Sequence, residues 1–243
     1  MIEQTDDRLE DLQLCGLRIY TGGKASAYTT DAVLLADFAL PRHGEIICDL
    51  GTGSGILPLL LFGRENSIQV TGIDLREDLL ILARKSIAYN GLDGNIRVIR
   101  GDIREVRNLL PQKAFSLVIS NPPYYPDTAG DPIRHQIQCS FQDIAQAAAW
   151  LLNNGGRLCV CYPADQVLQM AQALHDRRLA VKRLQFVASF ADRAPYLCLM
   201  EARLGAKKGL VILPQLSLYD SPGHMSRNAC AIYHMEQEKE ESR

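Results

Sequence analysis

Ile46-Ile47-Cys48-Asp49-Leu50-Gly51-Thr52-Gly53-Ser54-Gly55 is the stretch on which the reading of this chain turns. Its first half is apolar enough for a short buried strand. Three alternating glycines then lead into an apolar run near Gly55–Gly63 that suits a helix. Glycine lets a backbone turn sharply and approach a ligand closely, and the helix start behind the turn offers unpaired N–H groups. A phosphate-binding loop would continue Gly-Lys-Ser/Thr, whereas Gly55 is followed by Ile56-Leu57. A dinucleotide fingerprint would place its third glycine one residue later. Asp49, at the entrance of the turn, is poorly suited to a pyrophosphate and well suited to a cationic aminoacyl end.

Outward from this unit, strands and helices alternate. Gln69–Ile73 reads as a second strand. Arg76–Asn90 carries helical spacing through Leu79, Leu80, Leu82, Ala83 and Ile87, with Asn90-Gly91 as its stop. Ile96–Arg100 and Phe115–Ser120 are further strands. Phe141–Leu152 is a helix, Arg157–Tyr162 a strand and Ala164–Arg177 a helix. Lys182–Ala188, Tyr196–Ala202 and Leu210–Leu213 follow as strands without long helices between them. The expected architecture is α/β: a Rossmann-like, doubly wound, mostly parallel seven-stranded sheet with an antiparallel C-terminal edge. No repeat or linker divides the chain. The expectation is one domain over 1–235, with 1–44 as an N-terminal cap segment, 45–235 as the core and 236–243 as a polar tail.

Composition sets bounds. At 243 residues and 47% hydrophobic, the chain suits one well-buried domain. The start, Met-Ile-Glu-Gln-Thr-Asp-Asp, is acidic, and no apolar run approaches a membrane span, so a cytoplasmic protein is expected. The seven cysteines are scattered without zinc spacing; they read as reduced core thiols, and no metal is expected. Net charge is −2, but the acidic tails 1–11 and 236–243 conceal a core of +4. Arg97, Arg100, Arg104 and Arg107 form one basic cluster, and Arg177, Arg178, Lys182 and Arg183 another. Such runs are usually solvated surface, with a phosphate-binding face as the alternative.

The chemistry-bearing residues lie where strands end. Asp74, nineteen residues after Gly55, closes the second strand, and an acid there can accept both hydroxyls of a ribose. Gly101-Asp102-Ile103 follows the third strand and offers an acid and a backbone N–H to an adenine edge. With Asp49, Gly51, Gly53 and Gly55, these residues describe a site for S-adenosylmethionine. Asn121-Pro122-Pro123-Tyr124 caps the strand Phe115–Ser120. The Asn121 side-chain carbonyl and the Pro122 backbone carbonyl are acceptors that can hold an exocyclic amino group, and Tyr124 offers a face for stacking. The two prolines stiffen this loop. The two motifs together describe methyl transfer to nitrogen, an in-line displacement in which positioning does much of the work.

On these residues the chain resembles the class I S-adenosylmethionine-dependent methyltransferases, in the branch carrying Asn-Pro-Pro-Tyr. More narrowly it resembles the bacterial family of tRNA adenine-N6 methyltransferases typified by the enzyme that modifies valine tRNA. Tyr28-Thr29-Thr30-Asp31-Ala32-Val33-Leu34-Leu35-Ala36-Asp37-Phe38 matches the family's N-terminal motif. The resemblance implies that this segment, Thr30 included, folds over the cofactor; read by itself it is a capped, buried helix. Val187, Ala194-Pro195-Tyr196-Leu197-Cys198-Leu199, Leu210 and Leu216-Ser217-Leu218-Tyr219 match its C-terminal pattern. The family usually shows Ala-Arg-His-Glu after the acceptor motif, where this chain has Ile133-Arg134-His135-Gln136. Tyr125, Arg134 and His135 are the expected substrate contacts, and 126–134 is expected to order with substrate.

The expectation is therefore N6-methylation of adenine in RNA, most naturally a tRNA, with an unpaired base entering the pocket. Two alternatives stand beside it. One is methylation of a protein glutamine amide, as in the release-factor enzymes, which share the acceptor motif but normally carry an extra N-terminal helical domain. The other is a cofactor-binding protein without turnover.

Overall fold

Period-two strands that feed 3.6-period helices generate a layered sheet here. The computed structural model describes residues 7–22, 30–122 and 139–235. In chain order it holds a hairpin of β1 (Arg8–Asp11) and β2 (Arg18–Thr21), α1 (Thr30–Ala39), β3 (Ile46–Leu50), α2 (Ile56–Arg64), β4 (Gln69–Asp74), α3 (Glu77–Tyr89) and β5 (Ile96–Arg100). A 3-10 turn at Ile103–Glu105 leads to α4 (Val106–Leu109) and β6 (Phe115–Ser120). Then come α5 (Phe141–Leu151), β7 (Leu152–Pro163), α6 (Val167–Asp176), β8 (Leu179–Ala188) and β9 (Leu197–Leu204). Short strands β10 (Val211–Ile212), β11 (Leu216–Ser217), β12 (Tyr219–Ser221) and β13 (His224–Met225) precede α7 (Arg227–Ile232).

The main sheet runs β10-β8-β9-β7-β6-β3-β4-β5, with β11 also paired to β8. Among its described strands only β9 runs against its neighbours. It slides between β7 and β8 because a short loop, 189–196, returns the chain from β8 as a hairpin does, whereas the α6 crossover has left the gap open. The antiparallel pairing therefore falls in the C-terminal part of the sheet, as expected, with β9 between β7 and β8 and β10 and β11 outermost. The seven long strands expected from the sequence are joined by β10 and β11, which makes nine. At two residues β11 is too short for periodicity to reveal, whereas β10 lies within the expected strand Leu210–Leu213. Of the expected strand Leu210–Leu213, only Val211–Ile212 pairs, and it pairs parallel to β8.

Alternation along the strands sorts the core into two faces. Ile47, Leu117, Ile119, Cys159 and Cys161 point to the side covered by α1, α2 and the end of α3. Cys48, Leu50, Val118, Leu158 and Val160 point to the side covered by α4, α5 and α6. Each fully buried leucine of α2, such as Leu59 or Leu61, contributes about 1.5–3 kcal/mol through burial. All seven cysteines are free thiols, but not all are core. Cys15 is exposed in the turn of the N-terminal hairpin, Cys139 is half-buried just before α5, and Cys230 is half-buried on the short α7, so these three are not core thiols.

At the amino-terminal edge of the sheet lies a buried ionic network. Arg157, midway along β7, pairs with Glu45 (2.7 Å) and faces Glu201 (3.7 Å), and Glu201 also binds Arg183 and Arg203. The same arginine donates to the carbonyls of Ala39 and Leu40, and Arg183 donates to that of Phe38, so the C-terminus of α1 is capped by two guanidinium groups.

Candidate active site

At the opposite edge, strand ends and turns assemble a cleft. The Gly51 and Thr52 N–H groups both donate to the Ile73 carbonyl at 2.9 Å, and the Gly53 N–H donates to Asp74 Oδ2 at 2.8 Å. The turn after β3 is thereby stitched to the end of β4. Gly51 and Gly53 have φ of +80° and +55°, where a side chain would be strained. A Cβ added at Gly51 would meet nothing within 4 Å, so the concavity of the turn is open. Gly72 serves a different purpose: a Cβ there would stand 2.5 Å from Thr52 Oγ1, and its absence lets Thr52 lie on the strand.

Asp49 is wholly buried on β3, opposite Gly72 and Ile119 of the flanking strands. Burial pushes its carboxyl up to about 7; the Thr52 hydroxyl beside it tempers the rise, and the charge of Asp74 adds to it. Neither Asp49 oxygen nor Thr52 Oγ1 completes a hydrogen bond among the described residues. Buried polar atoms left in this state cost stability and mark a place for a ligand. Asp74 is nearly buried and accepts from the Gly53 and Arg76 N–H groups, yet desolvation still holds its carboxyl above the usual range.

Asp102 lies two residues past β5. It accepts from the backbone N–H of Arg104 and from its guanidinium, with Nε at 2.9 Å from each carboxylate oxygen. This partner keeps the Asp102 carboxyl below the usual range. Ile103 follows, buried in the core. Asn121 and Pro122 emerge from β6, whose last residue, Ser120, donates to the Leu50 carbonyl at 2.8 Å and so ties β6 to the end of β3. The Cys161 thiol of β7 donates to Asn121 Oδ1 at 3.0 Å.

Asp102, Asp74, Asp49 and Asn121 thus stand at or just past the carboxyl ends of four consecutive strands, β5-β4-β3-β6. At the usual strand spacing this row spans about 15 Å. Open α/β sheets bind ligands at such a place. Thr30 is exposed at the first turn of α1, and no described hydrogen bond links it to this row. Tyr124, Tyr125, Arg134 and His135 lie outside the described residues, as does the segment 126–134. Thr52, Arg104 and Cys161 are additions that the sequence reading did not single out. Thr52 sat inside the quoted turn, and the i, i+2 spacing of Asp102 and Arg104 was visible. Cys161 had no signal, because its contact crosses strands.

The orphaned Asp49 carboxylate, the open glycine turn and a second acid on the neighbouring strand fit S-adenosylmethionine, which carries an ammonium group and a ribose. Among the described residues no cluster of three or more His, Cys, Asp or Glu is arranged to hold a metal ion, and no helix is long and apolar enough to cross a membrane.

Fold and site together define a class I methyltransferase, a class whose methyl donor is S-adenosylmethionine. A family model described as a methyltransferase domain matches residues 41–213. A protein of Tolumonas auensis named tRNA1(Val) (adenine(37)-N6)-methyltransferase is 30% identical over 178 residues, which are 70% of this chain and 73% of that protein. One of the same name from Parabacteroides distasonis is 28% identical over 71% of this chain and 74% of its own length. The chain belongs to this methyltransferase family. Among solved structures, a predicted O-methyltransferase from Agrobacterium tumefaciens superimposes with a TM-score of 0.71 at 20% identity, covering 84% of this chain and 95% of that one. TrmN from Thermus thermophilus gives 0.56 at 23% identity, over 71% of this chain and 48% of its own. At such identities these two likenesses speak for the fold.

Proposed function

We propose that the chain is an S-adenosylmethionine-dependent N-methyltransferase acting on the N6 amino group of adenine in RNA, with a tRNA as substrate. The observation that carries this reading is the position of Asn121. Its carboxamide stands at the end of β6, one strand from the glycine turn, where an amino group held by it would face the donor. The names of the relatives support the substrate, and they make adenine 37 of a valine tRNA the first position to test.

When bound, S-adenosylmethionine supplies a methyl group on a sulfonium: the acceptor nitrogen's lone pair forms the new N–C bond, the C–S electrons return to sulfur, and a proton leaves the nitrogen for solvent. The residues of the chain bind and aim. Asp49 would receive the ammonium and Asp74 the ribose hydroxyls. Asp102 and the Ile103 N–H would meet the adenine edge of the donor, with Arg104 sharing the carboxylate. Asn121 Oδ1 and the Pro122 carbonyl accept the two N–H bonds of the target amino group, which directs its lone pair along the line of attack and favours the positive charge developing on nitrogen. Tyr124 as stacking face, Tyr125, Arg134 and His135 as substrate contacts, and Thr30 near the cofactor enter this reading from the sequence.

The test is transfer of labelled methyl to a bacterial tRNA pool lacking the modification, with nucleoside analysis and Asn121→Ala alongside. N6-methyladenosine from the parent, reduced about a hundredfold or more in the variant, is the expected result. Label on protein glutamine instead would assign the chain to the release-factor type. No label in RNA while cofactor binding is intact would end the RNA reading.

A further inference from the structure

The two basic clusters of the sequence meet different fates in the fold. Around the edge strand β5 each arginine is engaged within the protein. Arg104 grips Asp102, Arg107 lies over the Trp150 ring at 5.1 Å, Arg97 donates to Thr71 Oγ1 and Arg100 to the Leu75 carbonyl. The second cluster is regrouped instead. Arg183 leaves it, bound to Glu201 and stacked on Phe38. Lys207 and Lys208 join it, because the loop 205–210 leaves β9 and wraps the start of β8 before β10 begins. The Gly205 N–H donates to the Arg178 carbonyl at 2.9 Å, and Lys182 Nζ donates to the Lys207 carbonyl at 3.2 Å. A Cβ at Gly209 would stand 3.3 Å from the same Nζ, so a residue without a side chain lets the loop lie close.

Arg177, Arg178, Lys182, Lys207 and Lys208 thus gather at one corner, the amino-terminal edge of β8, and all but the half-buried Lys182 are exposed. Arg177 donates to Gln146 Oε1 and Lys182 to the carbonyl already named; among the described residues none of these cations forms an ion pair with an acid. The nearby Asp176 accepts from Gln172. Arg177 and Arg178 have a local use, since they follow the C-terminus of α6, where positive charge is favoured. Lys207 and Lys208 stand at no helix end. Like charges held together without acids repel one another and raise the local potential, which an outside polyanion relieves. From this corner to the carboxyl edge, β8 covers ten residues, a distance of about 30 Å. The corner is therefore out of reach of the target base but within reach of a long RNA: a duplex of about 16 base pairs, the span of one double-stranded RNA module, exceeds that distance.

We propose that this corner is a second RNA contact, binding backbone phosphates of the tRNA in a stem remote from the adenine being methylated. The inference rests on RNA being the substrate. Phosphates carry no sequence information, so the corner contributes affinity and orientation while the choice of base stays with the cleft.

The triple variant Arg178→Asn, Lys207→Gln, Lys208→Gln removes the charge from three exposed side chains. Asparagine suits position 178, where φ is +61°. With full-length tRNA, KM and Kd are expected to rise at least about tenfold, with kcat at saturation and the melting temperature unchanged. The slope of log Kd against log salt should become shallower by about 2 to 3. A hairpin trimmed to the loop that carries the target adenine, too short to reach the corner, should bind and react equally with both proteins. Lys207→Arg with Lys208→Arg should keep the parental values, because the charge is retained. Unchanged tRNA affinity and salt slope in the triple variant would make the corner ordinary solvated surface and overturn the proposal. An equal loss on the trimmed hairpin would also overturn it, since the effect would then act at the cleft. Binding to anionic phospholipid vesicles that the triple variant loses, with tRNA affinity parental, would assign the corner to a membrane surface instead. If the parent neither binds nor methylates RNA, the substrate reading fails and takes this one with it, a result distinct from a parent that methylates tRNA beside a variant that binds it equally well.

Discussion

Replacing Asp49 with asparagine should stabilise the free protein at alkaline pH while weakening its hold on S-adenosylmethionine. The Asp49 carboxyl is wholly buried and raised to about 7, and beyond the nearby Thr52 hydroxyl, which makes no well-formed hydrogen bond to it, the described residues offer it no partner. In the unfolded chain it titrates near the ordinary aspartate value, close to 4. Between those two values the native state binds the proton and the unfolded state does not, so stability falls as pH rises from about 4 to about 7 and is level above. Three units correspond to on the order of 4 kcal/mol of penalty for ionised Asp49 at pH 8. Asparagine has nearly the same shape and never ionises. Asp49→Asn should therefore match the parent near pH 4 and exceed it at pH 8 by up to that amount, or roughly 8–16 °C in melting temperature. Urea unfolding of both proteins at pH 4, 5, 6, 7 and 8 reads the difference directly. Asp74 is displaced in the same direction but is present in both proteins, so it cancels. Titration calorimetry reads the other half. The parent's Kd for S-adenosylmethionine should improve by up to about tenfold per unit as pH rises from 5 to 7, as Asp49 ionises to meet the ammonium. The variant should lose that slope and bind about tenfold to a hundredfold more weakly at pH 7. A stability difference that does not change between pH 4 and 8, or a variant that binds as well as the parent, would refute the reasoning.

Two more expectations concern the frame around the site. Gly72→Ala puts a Cβ 2.5 Å from Thr52 Oγ1, so the turn must shift. Overpacking of about 1–3 kcal/mol is expected, with S-adenosylmethionine affinity down at least about tenfold while far-ultraviolet circular dichroism stays native; unchanged affinity would show that Thr52 and its turn are not part of the cradle. Arg157→Met leaves Glu45 and Glu201 buried with less compensation and uncaps two carbonyls of α1. A loss of about 3–5 kcal/mol, or roughly 6–20 °C, is expected in thermal melting. A loss under about 1 kcal/mol would mean that Arg183 and Arg203 suffice for Glu201.

Local chemistry made much of this protein legible from its sequence. The strand, glycine turn and helix of 46–64 are dictated by apolar runs and by glycines that alone tolerate the turn's φ values. Because a parallel sheet ends every strand at the same edge, the spacing of Asp49, Asp74, Asp102 and Asn121 after successive strands already implied one row. Tertiary structure decided what depends on pairings between distant segments. The insertion of β9 between β7 and β8 is one such decision. Another is the docking of the N-terminal hairpin on α3, where the Tyr20 N–H meets Ser86 Oγ at 2.8 Å. The solitude of the Asp49 carboxylate and the thiol of Cys161 on Asn121, forty residues away in sequence, are of the same kind. Hydrophobic periodicity tells which face a residue takes, but not which strand lies beside it. Contacts between side chains on neighbouring strands exist only once the order of the sheet is set.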